Sequence, residues 1–366
     1  MYITRNNLKL FRLYRIFKKI YEIAKGCKRY YSPITLIYHR FFILTLRLYI
    51  KKGFRPNEIF NLGLIHSKLD KNELSKYTSQ NTMNIIQGRL NNSLWRCIVN
   101  NKGIFYKYSH ALNLPIPKLY AILNKDGSSI SDSGTRINNC SDWIKFVRGE
   151  IPNEFVIKPS MGKWGEFIYV YSKTNSKIMD ESGKPQNEND IYEMVMQNQH
   201  YDSFIVQERL NIHPNFFEIS PSKNLHCARI ITLVNSIGKV QILHGQLNLV
   251  TGKNTASQEG NLKIDISLND GRLDHGVLLN RNKGGFERIT KHPETGKSFK
   301  GFRIPNWEDI LLLAEKAATT FLPLRTLGWD FAVTENGVKI LEANAFYGPP
   351  NYFQPMDKFV KTLLDG

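Results

Sequence analysis

Apolar residues recur at helical spacing near the start of the chain. From Leu8 to Ile23 basic residues recur at helical spacing, and the residues between them form a wide apolar surface. This pattern predicts an amphipathic helix. The segment from Ile34 to Ile50 is more apolar, but His39, Arg40 and Arg47 interrupt it, and it is short for a bilayer span. This part of the chain is therefore expected to be mainly helical.

Shorter apolar runs, rich in β-branched and aromatic residues, predict strands further along the chain. Helical spacing returns at 142–148, at 191–199 and from about 305 to 321, where Asn306 is the expected cap. The predicted strands are Phe155–Ile157, Phe167–Val170, Phe204–Leu210, Leu225–Val234 and Val240–Val250.

The last clear pattern is a pair of short strands between Arg325 and Asn344, joined near Asn336-Gly337. Asp330 opens the first strand and Glu342 closes the second. A two-residue loop at Asn336-Gly337 places these carboxylates on opposite faces of the hairpin.

A three-residue loop, with Gly337 in the left-handed conformation, predicts a different register. It pairs Thr334 with Val338 and places Asp330 opposite Glu342 on one face, with β-carbons roughly 5 Å apart. The sequence leaves both turns open.

In the second register, two carboxylates and the side chain of Asn344 converge at one end of the hairpin. Such hard oxygen ligands suit Mg²⁺, which also takes water and phosphate oxygens. The alternative is a surface hairpin whose ends happen to be acidic.

A loop of small residues follows Lys158 and precedes a returning strand. Ser160, Gly162 and Gly165 let backbone amides approach a phosphate group, and Lys163 either adds a phosphate contact or is simply exposed. The spacing is not that of a Walker A motif.

Arg229 lies inside an otherwise apolar, β-branched strand. Burying an arginine there is costly unless anions pair with it. We therefore expect Arg229 to face a negatively charged partner.

An Asp on one strand, followed by Glu-x-Asn on the next, resembles the metal-binding end of the ATP-grasp superfamily. From about Asn101 to Gln354 the chain is similar to the sugar-transfer associated branch, including the stretches HPETG at 292–296 and IPNWED at 304–309. The resemblance implies an α+β, ATP-grasp fold, in which two α+β lobes clasp the nucleotide. It also implies ATP and Mg²⁺, with two ions expected.

With that resemblance, the chain is expected to divide into three parts. These are a basic, mainly helical N-terminal subdomain at 1–95, a first lobe at 96–205, and a second lobe carrying the metal site at 206–366.

The resemblance also implies roles for individual residues. Arg229 and Lys158 are expected to act in catalysis, and Asp330, Glu342 and Asn344 to bind metal. Lys107 is an alternative to Lys102, and His213 is also explained as an ordinary loop residue. The expected nucleotide-binding residues are Lys102, Lys158, Ser160, Gly162, Lys163, Gln207, Glu208, Leu210, His213 and Arg229. In the acceptor region, the candidates are Lys263 and Asp265.

Positive charge is concentrated at the N-terminus. The chain carries +18, and its first 55 residues hold 14 Lys and Arg against the single acid Glu22, a net +13. One interpretation is a helix on an anionic cytoplasmic membrane surface; the other is a helical subdomain with a solvated basic face. No nucleic acid is expected, because no recognised binding module accompanies the charge.

Two classes of function remain. The enzyme class is an ATP-dependent carboxylate–amine ligase acting through an acyl phosphate, with a kinase for hydroxyl acceptors as its variant. Its expected partners are a small-molecule or lipid-linked sugar acceptor and an amine. The second class is a non-catalytic nucleotide-binding protein at the membrane. Four scattered cysteines and no evident signal peptide predict a cytoplasmic protein, with or without peripheral attachment to the inner membrane face.

Overall fold

The computed structural model describes residues 5–66, 71–162, 165–174, 177–251 and 262–366, with side chains from Tyr14 onward in the first helix and from Asn72 in the fourth. These residues form two compact units. The first unit comprises Met1–Arg89, Val277–Ile289 and Phe346–Gly366, and the second comprises Leu90–Gly276 and Thr290–Ala345.

Helices dominate the chain up to the first strand. They are α1 (Arg5–Cys27), α2 (Leu36–Lys52), α3 (Pro56–Asn61), α4 (Lys71–Ser75), α5 (Gln80–Leu90), α6 (Cys97–Asn100) and α7 (Lys102–Ala111).

Seven strands and two helices follow, and these are β1 (Leu119–Asn124), β2 (Ile130–Ser131), α8 (Cys140–Gly149), β3 (Glu154–Pro159), β4 (Tyr169–Thr174), β5 (Lys177–Asp180), β6 (Pro185–Gln186), α9 (Glu188–Met196) and β7 (Ser203–Glu208).

After a short 3-10 helix, Pro214–Glu218, the remaining elements are β8 (Cys227–Val234), β9 (Val240–Leu249), β10 (Leu262–Ile266), β11 (Leu273–Leu279), β12 (Phe286–Ile289), α10 (Trp307–Thr320), β13 (Thr326–Thr334), β14 (Gly337–Asn344) and α11 (Met356–Asp365).

Local sequence signals start and stop several of these helices. The Thr35 hydroxyl accepts from the Tyr38 amide at the start of α2, and Gly53 ends that helix in the left-handed conformation. The Asn101 side chain caps α7 in the same way by accepting from the Ile104 amide. The expected cap Asn306 does precede α10, but its side chain makes no capping bond, because its own backbone is left-handed.

The core of the first unit is aromatic and apolar. Phe41 and Leu48 of α2 pack with Phe54 and Phe60, and the ring of Tyr30 stacks on that of Phe60 at a centroid distance of 4.3 Å. Burial of these rings stabilises the unit, because it removes a large apolar area from water and adds favourable ring contacts. None of the helices in the described part of the chain is long and apolar enough to cross a membrane.

Two antiparallel sheets build the second unit. The first has the strand order β2-β1-β7-β3-β4-β5-β6. In the second, the strands of this unit follow the order β11-β10-β9-β8-β13-β14. Helix α10 packs its buried face, including Leu313, Ala314 and Ala317, on β8, β9 and β13 of the second sheet. This arrangement leaves the other face of that sheet available for polar side chains.

The observed units differ from the predicted division at 95 and 205. Residues 277–289 and 346–366, which the sequence placed in the second lobe, lie in the first unit, and the N-terminal part of that unit ends at residue 89. The contacts explain the difference: the carbonyl of Tyr347 accepts a hydrogen bond from Gln87 at 3.0 Å. The C-terminal segment thus completes the N-terminal core.

The β13–β14 hairpin corrects both predicted turns. Thr334 pairs with Gly337, so the loop consists of Glu335 and Asn336. A β-bulge between Asp330 and Phe331 then shifts the register by one residue, and Asp330 lies opposite Glu342. The same-face placement is therefore confirmed, but a bulge produces it and not a three-residue turn.

Asn91 fastens the start of the second unit to this hairpin. Its fully buried side chain donates to the carbonyls of Thr326 and Ala345, at 2.8 and 2.9 Å, and accepts from the Thr326 amide at 3.1 Å. We expect Asn91→Ala to lower the free energy of unfolding by about 3 kcal/mol, because it leaves buried backbone groups unpaired. Urea unfolding measures this effect.

The matched control is Asn100→Ala, at an exposed position in α6. It should change the unfolding free energy by less than about 0.5 kcal/mol. Equal stability of the two variants would contradict the structural role of Asn91.

Candidate active site

A cleft in the second unit collects most of the polar residues singled out by the sequence. It encloses about 1310 Å³ of space free of protein atoms, including its open mouth. Its walls come from β3, the loop after β3, β7 and the segment after it on one side, and from β8, β9, β13 and β14 on the other.

Lys102 lies at the first turn of α7 and reaches into the cleft. Its amide donates to the Ser160 carbonyl at 2.7 Å, and its Nζ donates to the Gly162 carbonyl at 2.8 Å. The same Nζ lies 3.2 Å from Oε2 of Glu342. Lys107 is exposed and does not line the cleft, so Lys102 is the lysine at this site.

Lys158, at the end of β3, is buried in the cleft wall. Its Nζ donates to Oη of Tyr106 at 3.4 Å and lies 5.5 Å from the centre of that ring. Burial, reinforced by the nearby charge of Lys102, lowers the pKa of Lys158 to about 7, while Glu342 opposes the shift. Lys158 therefore changes charge near neutral pH.

The loop after Lys158 brings backbone close to the cleft. Gly162 and Gly165 line it, and a β-carbon on Gly162 would come within 3.0 Å of Cβ of Pro159. Ser160 is not among the lining residues; its hydroxyl hydrogen-bonds that of Ser203 at 2.8 Å. Lys163 lies outside the described residues.

The segment from Gln207 to Leu210 forms another part of the wall. Oε1 of Gln207 is buried and has no hydrogen-bond partner among the described residues. The Glu208 carboxylate is engaged, accepting from the Lys118 amide at 3.0 Å and from Nζ of Lys339 at 2.6 Å.

His213 does not line the cleft in the described structure. Its Nδ1 accepts from the Asn215 amide at the start of the 3-10 helix, and its own amide donates to the Val333 carbonyl at 3.0 Å. The structure thus gives His213 a local capping role.

One polar row crosses five strands of the second sheet. The strand register places each residue of this row opposite the next one on the neighbouring strand. In order, the residues are Glu342, Asp330, Arg229, Gln246 and Asp265. Directly opposed residues in antiparallel strands share a face, and neighbouring strands lie about 4.8 Å apart. The row therefore extends from the hairpin to β10 along a single face.

Arg229 and Asp330 form a two-pronged ion pair at the centre of this row. Nε and Nη2 of Arg229 donate to the two carboxylate oxygens at 2.7 and 2.6 Å. Burial raises the pKa of Asp330, and Arg229 opposes that rise. The costly arginine in the strand thus has the anionic partner that its position required. Arg229 itself is not among the lining residues of the cleft.

Glu342 and Asn344 extend the acidic end of the row. Burial alone would raise the pKa of Glu342, but Lys102, Lys158 and Arg229 outweigh it and lower the pKa to about 2. Nδ2 of Asn344 donates to Oε1 of Glu342 at 3.3 Å. Glu342 is therefore ionised throughout the neutral range.

The far end of the row holds the two residues predicted for the acceptor region. Lys263 lies opposite Asn248, and Asp265 lies opposite Gln246. Oδ1 of Asp265 is 3.9 Å from Nδ1 of His244, and its carboxylate also lies near Asp274 and His275.

Sequence reasoning missed Tyr106, which contacts Lys158 behind the cleft wall, and Asn248, which lines the cleft. Tyr106 orients Lys158 and donates to the Leu341 carbonyl at 3.2 Å, yet nothing in the sequence distinguishes it from its aromatic neighbours. Asn248 also lines the cleft and accepts from Nε2 of Gln246 at 2.9 Å. The alternation of polar residues along β9 was the signal that could have identified this pair.

The sequence pattern of the sugar-transfer associated ATP-grasp family matches residues 83–354, which is well over half of the chain. The chain belongs to this family. Its two sheets with flanking helices are the α+β, ATP-grasp fold that the resemblance implied. No curated protein matches the sequence.

Several solved ATP-grasp structures are similar to the chain. D-alanyl-alanine synthetase A from Vibrio cholerae is 10% identical, with a TM-score of 0.42, over 73% of this chain and 61% of that one. D-alanine–D-alanine ligase from Bacillus anthracis is 11% identical, with a TM-score of 0.39, over 81% and 76%.

The biotin carboxylase domain of 2-oxoglutarate carboxylase from Hydrogenobacter thermophilus, in complex with MgADP and bicarbonate, is 12% identical. Its TM-score is 0.39, over 70% of this chain and 41% of that one. The chain thus spans less than two thirds of the length of the synthetase and of the carboxylase domain.

The residues of this ATP-grasp cleft fit the nucleotide and metal of the family. Two carboxylates and an amide side chain are the hard donors that Mg²⁺ prefers, and each carboxylate oxygen can accept a second partner beside Arg229 or Lys102. The unpartnered Oε1 of Gln207 suits a donor such as the amino group of adenine. Lys102 and Lys158 offer cations to phosphate groups.

We expect ATP binding to take up protons near neutral pH. The free Lys158 has a pKa of about 7, and a bound polyanion favours the charged form, so the pKa rises on binding. ATP affinity should fall as pH rises above 7, by at most about tenfold per pH unit. Calorimetry in buffers of different ionisation enthalpy measures the proton uptake.

The control for this experiment is Lys158→Arg, which stays charged at every pH used. It should bind ATP with little proton uptake from this site. Identical uptake by the variant and the wild type would exclude Lys158 as the titrating group.

Proposed function

We propose that this protein is an ATP- and Mg²⁺-dependent carboxylate–amine ligase. Its product would be an amide on a sugar acid or a related acceptor, in the synthesis of a cell-surface polysaccharide. Family membership supports an ATP-dependent enzyme, and the sugar-transfer association of the family supports a sugar-derived acceptor. The observation that carries the proposal is the meeting of Lys102, Lys158 and Glu342 in the cleft, with the Arg229–Asp330 pair beside them.

The proposed reaction has two steps. An oxygen of the acceptor carboxylate bonds to the γ-phosphorus of ATP while the bond to the bridging oxygen breaks, giving an acyl phosphate and ADP. The amine nitrogen then bonds to the acyl carbon and loses a proton. Phosphate leaves with the electron pair of the broken carbon–oxygen bond.

The residues of the cleft supply positioning and charge for this chemistry. Lys102 and Lys158 would hold phosphate oxygens, and Lys158 is kept in place by Tyr106. Arg229 would stabilise the negative charge that builds up on the transferring group. Phosphoryl transfer of this kind needs little help from a side-chain nucleophile.

Asp330, Glu342 and Asn344 would hold Mg²⁺, and we propose two ions there. When bound, Mg²⁺ neutralises phosphate charge. The low pKa of Glu342 keeps that carboxylate ready to bind a cation.

The β10 end of the polar row has side chains that suit binding of the acceptor and the amine beside the phosphates. Gln246 and Asp265 lie on the same sheet face as Arg229, one and two strands further along. An amide and a carboxylate there can hydrogen-bond sugar hydroxyls or an ammonium group. We therefore place acceptor recognition at this end of the row.

The decisive experiment incubates the purified protein with ATP and Mg²⁺ against sets of amino acids and uronic acids. Release of ADP, with a product whose mass equals acid plus amine minus water, supports the ligase. Release of ADP with a phosphorylated hydroxyl compound indicates the kinase variant instead. ATP binding without turnover on any set would favour a non-catalytic nucleotide-binding protein.

A further inference from the structure

Helix α2 carries an outer line of residues in which apolar and basic side chains alternate. In order along the helix they are Leu36, Arg40, Ile43, Arg47 and Ile50. Their spacing of four and three residues places them on one side of a helix. We call this set the α2 stripe.

The stripe lies away from the core of the first unit. Leu36, Ile43 and Ile50 are 85%, 65% and 74% exposed. The opposite side of the helix is buried through residues such as Phe41 and Leu48.

Helix α1 also packs on a different side of α2. The hydroxyl of Tyr38 donates to the Ala24 carbonyl at 3.5 Å, and Nζ of Lys19 lies 4.9 Å from the centre of the Tyr49 ring. Tyr38 and Tyr49 lie only one or two positions along the chain from the nearest stripe residues. Residues so spaced face different sides of a helix, so both tyrosines lie off the stripe. The stripe is therefore covered neither by α1 nor by the buried cluster.

Single exposed aliphatic residues are common on protein surfaces, but an ordered line of them is not. Another exposed aliphatic residue precedes the helix, since Ile34 is 93% exposed. Apolar side chains spaced between arginines match the interfacial region of a bilayer, where acyl chains and charged headgroups meet.

Charge indicates which surface would cover the stripe. Helix α2 contains no acidic residue, and Lys51 adds a third cation beside Arg40 and Arg47. The single acid of the first 55 residues, Glu22, lies on α1 and is 3.8 Å from Nζ of Lys19. A partner surface must therefore be anionic as well as partly apolar.

We propose that the α2 stripe docks reversibly on the surface of an anionic lipid bilayer. Leu36, Ile43 and Ile50 enter the boundary of the acyl chains, and Arg40 and Arg47 contact lipid phosphates. A second copy of the same stripe fits less well, because a symmetric contact would bring arginines together. Nucleic acid fits less well too, because it offers no apolar surface to the aliphatic residues.

This inference concerns the first unit alone and holds for any reaction in the cleft. Its test is co-sedimentation of the full chain with vesicles of phosphatidylcholine, with and without phosphatidylglycerol. We expect binding that needs the anionic lipid and weakens as salt is raised, because exposed charges are screened within about 10 Å at 0.1 M salt.

Two variants separate the charged part of the stripe from the apolar part. Arg40→Gln with Arg47→Gln should lower the partition coefficient roughly 30-fold, the effect expected for two basic residues at an anionic surface. Leu36→Ser with Ile43→Ser and Ile50→Ser should lower it at least as much, while retaining the salt dependence.

Matched controls come from the second unit. Ile237→Ser removes an aliphatic residue that is 83% exposed, and Lys239→Gln with Lys300→Gln removes two exposed charges. These variants should bind vesicles like the wild type. Circular dichroism and ATP binding show that every variant is folded.

Three results would overturn the proposal. The first is equal binding to vesicles with and without phosphatidylglycerol. The second is loss of binding only when Tyr14, Phe17 and Tyr21 of α1 are replaced, which would move the docking surface to that helix. The third is a dimer, seen by sedimentation, that the triple α2 variant abolishes, because the stripe would then be a contact between copies.

Discussion

Glu342→Gln is expected to lower Mg²⁺-dependent ATP turnover by roughly 100-fold or more while leaving the fold intact. The carboxylate has a pKa of about 2 and is half-buried beside two lysines, so it carries a full negative charge toward the cleft. The amide of Gln has the same shape and can still accept from Lys102, but it lacks the charge that a divalent cation needs. The loss should therefore appear in turnover and metal dependence, and not in folding.

The measurement is ADP release over a range of Mg²⁺ concentrations. Glu335→Gln is the matched control, since it removes an exposed carboxylate from the turn of the same hairpin. It should behave like the wild type. Full activity of Glu342→Gln at every Mg²⁺ concentration would place the metal elsewhere.

Lys158→Ala should weaken ATP binding by about 10- to 100-fold, the range for losing one charged hydrogen-bond donor. Arg229→Ala should also weaken ATP binding, because it removes a positive charge beside the cleft. Lys158 presents its ammonium group from the cleft wall, held by Tyr106. Arg229 acts from one strand away through Asp330. Removing Arg229 also leaves the Asp330 carboxyl buried without its cation, so this variant should be less stable as well.

Calorimetry with ATP at fixed pH separates these effects from unfolding. Lys107→Ala removes an exposed lysine from the same helix that begins with Lys102, and its affinity should be unchanged. If Lys158→Ala and Arg229→Ala both bind ATP like the wild type, the cleft is not the nucleotide site.

The hairpin shows how far the sequence could predict the site. The residue types predicted the two strands. One of the two registers considered also predicted that Asp330 and Glu342 face each other. The bulge that produces this register has no local sequence signature, because Leu341 resembles any other strand residue. The turn was therefore wrong in detail although one of its consequences was confirmed.

The choice between Lys102 and Lys107 shows a second limit. Both lysines belong to α7, and only tertiary structure determines which one faces Gly162 and Glu342. Tyr106 escaped notice for the same reason: its partners Lys158 and Leu341 are far away along the chain. Periodicity predicts elements, but it does not predict which side chains from separate elements meet.

The C-terminal segment has a consequence for how the protein is made. Residues 346–366 belong to the first unit, where Asn351 hydrogen-bonds the backbone of Thr78 in both directions, at 2.9 and 2.8 Å. On the ribosome, the sheets of the second unit emerge before these residues do, and domains generally fold as they emerge. The basic helices are thus translated first but complete their core last. We therefore expect part of their apolar surface to stay exposed until residues 346–366 emerge.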